Sequence, residues 1–170
     1  MPILYSFKRC PYAMRARMAL YLSKTIVELR EVSLRNKPQA MLEISPKATV
    51  PVLLLDDGSI IDESIEIIDW CIENKKDIFK DTLNKDQELF AEDVIKLFDE
   101  KFKFHLDRYK YATRYENVDA ASHRDACLDI LRTLDKNISN TKWFFSNNVN
   151  KIDISVLPFI RQFRIADPLW

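Results

Sequence analysis

Residues 8–17, Lys8-Arg9-Cys10-Pro11-Tyr12-Ala13-Met14-Arg15-Ala16-Arg17, hold the densest chemistry in the chain: a thiol, a proline directly after it, and basic side chains on both sides. They follow the apolar run Ile3-Leu4-Tyr5 and lead into Met18-Ala19-Leu20-Tyr21-Leu22, which reads as a strand, a tight turn and the start of a helix. Pro11 suits the first helical position, where its missing N–H costs nothing. The Cys10 sulfur then lies beside the unpaired donors and positive dipole end of the helix. A thiolate is favoured there, and the cations Lys8, Arg9 and Arg15 are expected to push the same way. The fourth position of the motif is Ala13, so C-P-Y-A cannot close a dithiol cycle within itself. What is left is one nucleophilic sulfur able to attack a disulfide, to be capped by a small thiol, or to give that thiol up. The competing reading is a free cysteine packed as a small hydrophobe.

The composition narrows the function classes. A chain of 170 residues holds one domain, or a small domain with a helical partner. Its 26 basic and 26 acidic residues balance, which argues against a polyanion binder and hence against nucleic acid as partner. No apolar run approaches the roughly 18 residues of a membrane span, and the N-terminus has no signal-peptide core, so the expected compartment is the cytoplasm, with no membrane partner. Three distant cysteines and two histidines give neither a disulfide framework nor a zinc spacing, so no metal is expected.

The elements that must position Cys10 follow from pattern. Residues 3–7 read as a strand, 11–22 as a helix, and 26–32 as a second strand with Val27 and Leu29 alternating against Glu28 and Arg30; a right-handed βαβ unit is the economical assembly. A short helix opens at Pro38 and stops before Pro46. Thr49-Val50-Pro51-Val52-Leu53-Leu54-Leu55 reads as a strand with proline at its entrance, the position where a strand tolerates it. Asp57-Gly58 predicts a type I′ hairpin turn, Ile60 and Ile61 return antiparallel, and Asp62-Glu63-Ser64 opens a helix carrying Ile65, Ile68, Cys71 and Ile72. The order β-α-β-α-β-β-α describes a mixed sheet covered by helices.

That order, with C-P-Y-A, Asn36-Lys37-Pro38, Val50-Pro51-Val52-Leu53 and Glu63-Ser64 in sequence, resembles the thioredoxin-like domain of cytosolic glutathione S-transferases. The likeness is greatest to the omega class and related bacterial cysteine-type members. The resemblance implies that Cys10 is the catalytic sulfur facing the glutathione thiol, with glutathione as co-substrate. It implies that Pro51 is a cis-proline presenting the Val50 backbone to the cysteinyl moiety, that Glu63 and Ser64 hold the γ-glutamyl end, and that Lys37 reaches the glycyl carboxylate. The residue types agree: a serine and helix N–H groups suit a carboxylate, and a glutamate suits an ammonium. Taken singly, Pro51 starts a strand, Glu63-Ser64 caps a helix, and Lys37 is a surface charge.

Residues 75–83 read as a linker between a thioredoxin-like domain, 1–74, and an all-α domain, 84–170. Phe90, Val94, Leu97, Phe98 and Phe102 recur at helical spacing, as do Cys127, Leu128, Leu131, Leu134 and Ile138 over residues 121–138; Cys71 and Cys127 are expected in the core. Between them, aromatics interleave with bases from Phe104 to Tyr115, a helix end with snorkelling side chains. The family lines its acceptor pocket here, which makes Arg108, Tyr109 and Tyr111, with Tyr12 from the first motif, the acceptor-pocket candidates. Asn150 and Asp153 read as a variant capping box, a structural cap. The resemblance further implies a homodimer and a helical region shortened at Trp170. Its leading activity is thiol transfer between glutathione and a small disulfide or reducible electrophile. Conjugation through a hydroxyl such as Ser6 or Tyr12 is the weaker enzyme reading, and a non-catalytic interaction or regulatory module on the same fold is the alternative.

Overall fold

The computed structural model describes residues 1–75, 79, 83–138 and 141–168, in two compact units, Met1–Lys80 and Asp81–Trp170. Most of the expected linker, residues 76–78 and 80–82, lies outside the described residues.

In the first unit, strand β1 (Ile3–Ser6) is followed by helix α1 (Pro11–Leu22), strand β2 (Glu28–Glu31), helix α2 (Gln39–Ile44), strands β3 (Val52–Leu54) and β4 (Ile60–Ile61), and helix α3 (Ser64–Asn74). The sheet order is β2-β1-β3-β4. β1 and β2 run parallel, which requires a crossover, and α1 supplies it. β3 returns antiparallel to β1 and β4 antiparallel to β3. This is the thioredoxin-like mixed sheet expected from the sequence.

Two details differ. β2 is shorter than 26–32 and does not alternate: Leu29 is 54% exposed although its register partner Leu4 on β1 is buried at 1%. β2 is an edge strand of the sheet, and three of its four residues are exposed. The hairpin is not type I′ either. Among Asp56, Asp57 and Gly58 only Gly58 has a positive φ, 87°, and Gly58 N–H bonds the Leu55 carbonyl at 3.0 Å while Leu55 N–H bonds that of Ser59 at 2.8 Å. That is a three-residue loop, a type I turn closed by glycine in the left-handed region, and it needs positive φ at one residue instead of two.

One core lies under the first motif: Tyr5, Ala13, Val32, Met41, Val50 and Val52 are buried together, with Phe7 and Cys10 packed against them. On the other side of α1, Ala16, Ala19 and Leu20 are buried, as are Ile67, Ile68 and Cys71 of α3. Small side chains on α1 let the two helices approach closely.

The second unit is helical. α4 (Lys85–Leu97) runs through a π-helical turn, Phe98–Phe102, into α5 (Lys103–Lys110); a 3₁₀ turn, Ala112–Arg114, precedes α6 (Ala120–Asp135) and α7 (Lys151–Arg164). The long amphipathic helix is therefore present, with one wide turn that shifts its register. Its buried line is Ala91, Val94, Ile95, Phe98, Phe102 and Leu106. Phe98 and Phe102 stack at 4.4 Å, and Phe159 and Phe163 of α7 meet them edge-on, each at 6.0 Å. On α6, Cys127 and Leu134 are buried, whereas Ile138 falls beyond the helix and is 43% exposed.

Candidate functional site

Cys10 is the N-cap of α1, with Pro11 in the first turn, and its side chain makes no cap hydrogen bond. The turn is closed by Cys10 N–H donating to the Phe7 carbonyl at 3.0 Å. Its thiol donates to the Val50 carbonyl at 3.7 Å, forty residues away in sequence. The Val50–Pro51 bond is cis. Cys10, Val50 and Pro51 therefore converge at the mouth of α1, and Cys10 is a partly exposed free thiol. Cys71 and Cys127 are buried, and desolvation pushes their thiols up to about 11 and about 12. The small-hydrophobe reading describes those two cysteines; Cys10 has the exposure a nucleophile needs.

A cation outside the sequence expectation stands near Cys10: Arg17 shares its field with Cys10 and Glu31. Its guanidinium donates to the Ser6 hydroxyl and to the Lys8 carbonyl, the latter at 3.1 Å. Burial lowers its pKa, and Glu31 and Cys10 oppose that shift. Helical period is the reason: seven residues make about two turns and return Arg17 to the face of Cys10, whereas five place Arg15 roughly 140° away. Arg15 is 2% exposed. It turns toward α3, where its Nε donates to Ser64 Oγ at 2.9 Å, and its guanidinium lies 5.1 Å from the centre of the Tyr12 ring. Arg9 packs over Phe7 at 5.3 Å, and Lys8 enters through its backbone, which donates to Glu31 at 2.8 Å.

Glu63 is the N-cap of α3 and makes no side-chain cap bond. Its carboxylate is exposed and takes Lys47 Nζ at 2.7 Å, while the same ammonium reaches Asp62 at 3.0 Å. Lys47 holds Asp62 below the usual carboxylate range, with Ser45 helping from 2.9 Å. Sequence reasoning missed both Arg15 and Lys47 as neighbours of Glu63-Ser64. The helical offset of Arg15 from Cys10 was a readable signal for the first, and nothing local marked the second. Lys37 is half-buried just before Pro38, the N-cap of α2, and has no ion pair among the described residues.

Of the two hydroxyl alternatives, Ser6 is fully buried under Arg17, and Tyr12 is half-buried with the Arg15 guanidinium over its ring.

Arg108, Tyr109 and Tyr111 belong to the second unit and are occupied within it. Arg108 stacks on Phe104 at 3.5 Å and on Tyr115 at 4.6 Å. Tyr109 packs on Phe163 at 5.6 Å, and Tyr111 lies under Arg114 at 4.1 Å. The Tyr109 hydroxyl is buried without a hydrogen-bond partner among the described residues. Asn150 and Asp153 form the expected capping box on α7: Asn150 accepts from Ile152 N–H at 3.0 Å and Asp153 from Asn150 N–H at 2.9 Å. Asp153 also accepts from Phe144 N–H at 3.1 Å, and desolvation raises its pKa against those two donors. Among the described residues no three His, Cys, Asp or Glu side chains gather as metal ligands.

A partly exposed cysteine thus stands at the first helix of a thioredoxin-like unit, beside a cis-proline, in a chain whose second unit is helical. Residues 4–77 match the family model described as glutathione S-transferase, N-terminal domain. The chain is 29% identical over 165 residues to glutathione S-transferase U19 of Arabidopsis thaliana, covering 95% of this chain and 73% of that protein. It is 25% identical over 168 residues to glutathione S-transferase omega-1 of Rattus norvegicus, covering 94% and 66%. The fold matches the tau-class glutathione S-transferase of mango, Mangifera indica, with a TM-score of 0.82 at 22% identity over 99% of this chain and 78% of that one. Rice GST1, solved in complex with glutathione, superposes with a TM-score of 0.78 at 22% identity, over 97% and 77%. The first unit thus carries a glutathione S-transferase N-terminal domain, and the chain is similar over nearly its whole length to enzymes named glutathione S-transferase, tau and omega members among them.

Proposed function

We propose that the protein is a glutathione-dependent thiol transferase in which Cys10 is the nucleophile. The observation that carries this reading is the position of Cys10 Sγ: at the uncapped N-terminus of α1, 3.7 Å from the Val50 carbonyl, and partly exposed where the other two thiols are buried. In the first step the Cys10 thiolate attacks the glutathione sulfur of a mixed disulfide. A Cys10–S–S–glutathione bond forms, the substrate S–S bond breaks, and the substrate leaves as a thiolate. In the second step a glutathione thiolate attacks that adduct, releasing oxidised glutathione and restoring the Cys10 thiolate. One free glutathione is consumed per mixed disulfide reduced, and the second glutathionyl unit of the oxidised product comes from the substrate.

The remaining residues hold the tripeptide. The Val50 backbone pairs with the cysteinyl unit, Pro51 fixes its direction, and Lys37 meets the glycyl carboxylate as a point charge. Ser64 and the N–H groups opening α3 take the γ-glutamyl carboxylate. Glu63 takes the ammonium, sharing its carboxylate with Lys47. Arg108, Tyr109, Tyr111 and Tyr12 are proposed to line the acceptor side, and pairing into a cytoplasmic homodimer is part of the same reading. The complete burial of Ser6 disfavours conjugation through that hydroxyl and so favours thiol transfer.

The test is intact-mass spectrometry after incubation with oxidised glutathione. One glutathionyl adduct is expected, located on Cys10, removed by reduced glutathione and missing in Cys10→Ser. A chain that stays unmodified sinks the transferase mechanism and favours the non-catalytic module.

A further inference from the structure

We infer that Arg15 is a positioning residue for glutathione binding, acting through Ser64; the inference rests on the reading of the site given above. The argument starts from the hydrogen-bond inventory of a serine hydroxyl, which has one proton to give and two lone pairs. Arg15 Nε–H occupies one lone pair of Ser64 Oγ at 2.9 Å. A guanidinium has five donors and no acceptor, so the Ser64 proton cannot return to Arg15 and must point elsewhere. Ser64 is the first residue of α3, whose N-cap Glu63 supplies no side-chain cap. A hydroxyl whose proton must point away from Arg15, beside the N–H groups that open a helix, suits a carboxylate better than an ammonium.

Burial strengthens the effect. Arg15 and Ser64 are exposed by only 2% and 3%, and an arginine keeps its charge under such conditions. A fixed cation behind the hydroxyl polarises its O–H bond, and the low local dielectric makes that polarisation count. The same guanidinium sits 5.1 Å from the Tyr12 ring, two residues after the thiol. One side chain of α1 thus links the turn that carries Cys10 to the start of α3, two segments that would hold opposite ends of one tripeptide. Arg15 touches neither the ligand nor the reacting sulfur in this account; it sets the direction of the group that does.

The experiment measures calorimetric binding of S-methylglutathione, whose blocked thiol removes any chemistry at Cys10. A second ligand is the analogue in which the γ-glutamyl α-carboxylate is replaced by hydrogen. Wild type, Arg15→Gln, Arg15→Lys, Ser64→Ala and the Arg15→Gln/Ser64→Ala pair are compared. Because hydrogen bonds to charged groups are the strong ones, Arg15→Gln and Ser64→Ala are each expected to weaken S-methylglutathione by about tenfold to a hundredfold. The pair is expected to be no worse than Ser64→Ala alone, and the decarboxylated analogue to bind wild type and Arg15→Gln alike. Should Arg15→Gln fail to fold, Arg15→Lys, which keeps the charge but not the Nε donor, is expected to show a smaller loss with the same dependence on the carboxylate. Unchanged binding by the arginine variants, or an equal loss for both ligands, would overturn the role of Arg15 and leave the glutathione reading standing. Failure of wild type to bind S-methylglutathione would overturn the glutathione reading itself.

Discussion

The helix N-termini of the two units are built on opposite plans. In the second unit α4, α6 and α7 are each capped by their own sequence, through Asn84, Asp119 and Asn150, and two of the three are full capping boxes. In the first unit α1, α2 and α3 begin at Cys10, Pro38 and Glu63, and none of these three side chains makes a cap hydrogen bond. A cap is worth about 1 kcal/mol, so the first unit forgoes stability at three places. Two of them carry the residues assigned to glutathione, and the third directly follows Lys37. Helix ends left open are available to an anionic ligand; helix ends satisfied internally are structural.

The comparison can be broken at Cys10, where the largest effect is expected. Cys10→Ser supplies the missing cap oxygen and removes the nucleophile, so glutathionyl transfer should be abolished while unfolding free energy rises by about 0.5–1 kcal/mol. A drop in stability, measured by urea unfolding, would show that the uncapped end is not a cost. The next effect belongs to Asp153, 4% exposed, whose carboxylate serves Asn150 N–H and Phe144 N–H. Asp153→Ala leaves two buried donors unpaired and should cost about 2–5 kcal/mol, with Asp153→Asn intermediate. Asn84→Ala should cost about 1 kcal/mol, read as a lowered urea midpoint with unchanged slope.

The smallest effect concerns pH. His105 and His123, the two histidines of the chain, hydrogen-bond through their Nδ1 atoms at 2.7 Å, and desolvation, His123 and Arg108 lower the pKa of His105. Below the ordinary value of 6.5 the unfolded chain then binds more protons than the folded one, so stability should decline as pH falls through that region. His123→Gln should flatten the decline in thermal unfolding scans between pH 7 and 5.

Much of this was legible in the sequence because the signals were local. Pro11 after Cys10 marked the start of α1, Pro51 before an apolar run marked the entrance to β3, and Asn150 with Asp153 marked the cap of α7. The unread parts join residues distant in sequence. Arg15 meets Ser64 across forty-nine positions, and Lys47 meets Glu63 across sixteen. The helical offset turns Arg15 away from Cys10 but names no partner for it, nothing local marks Lys47, and both meet residues proposed to hold the γ-glutamyl end. Leu29 failed for a related reason, since its hydrophobicity is local but its place at an open sheet edge is set by topology.

The central claim is that an open helix end and the thiol at its mouth receive one tripeptide. A crystal structure of the protein soaked with oxidised glutathione tests it most directly. The account predicts continuous density from Cys10 Sγ to a glutathione sulfur, with the peptide main chain along Val50 and the γ-glutamyl carboxylate at Ser64. Glutathione bound away from α1 and α3, or an unmodified Cys10 beside an ordered ligand elsewhere, would contradict it.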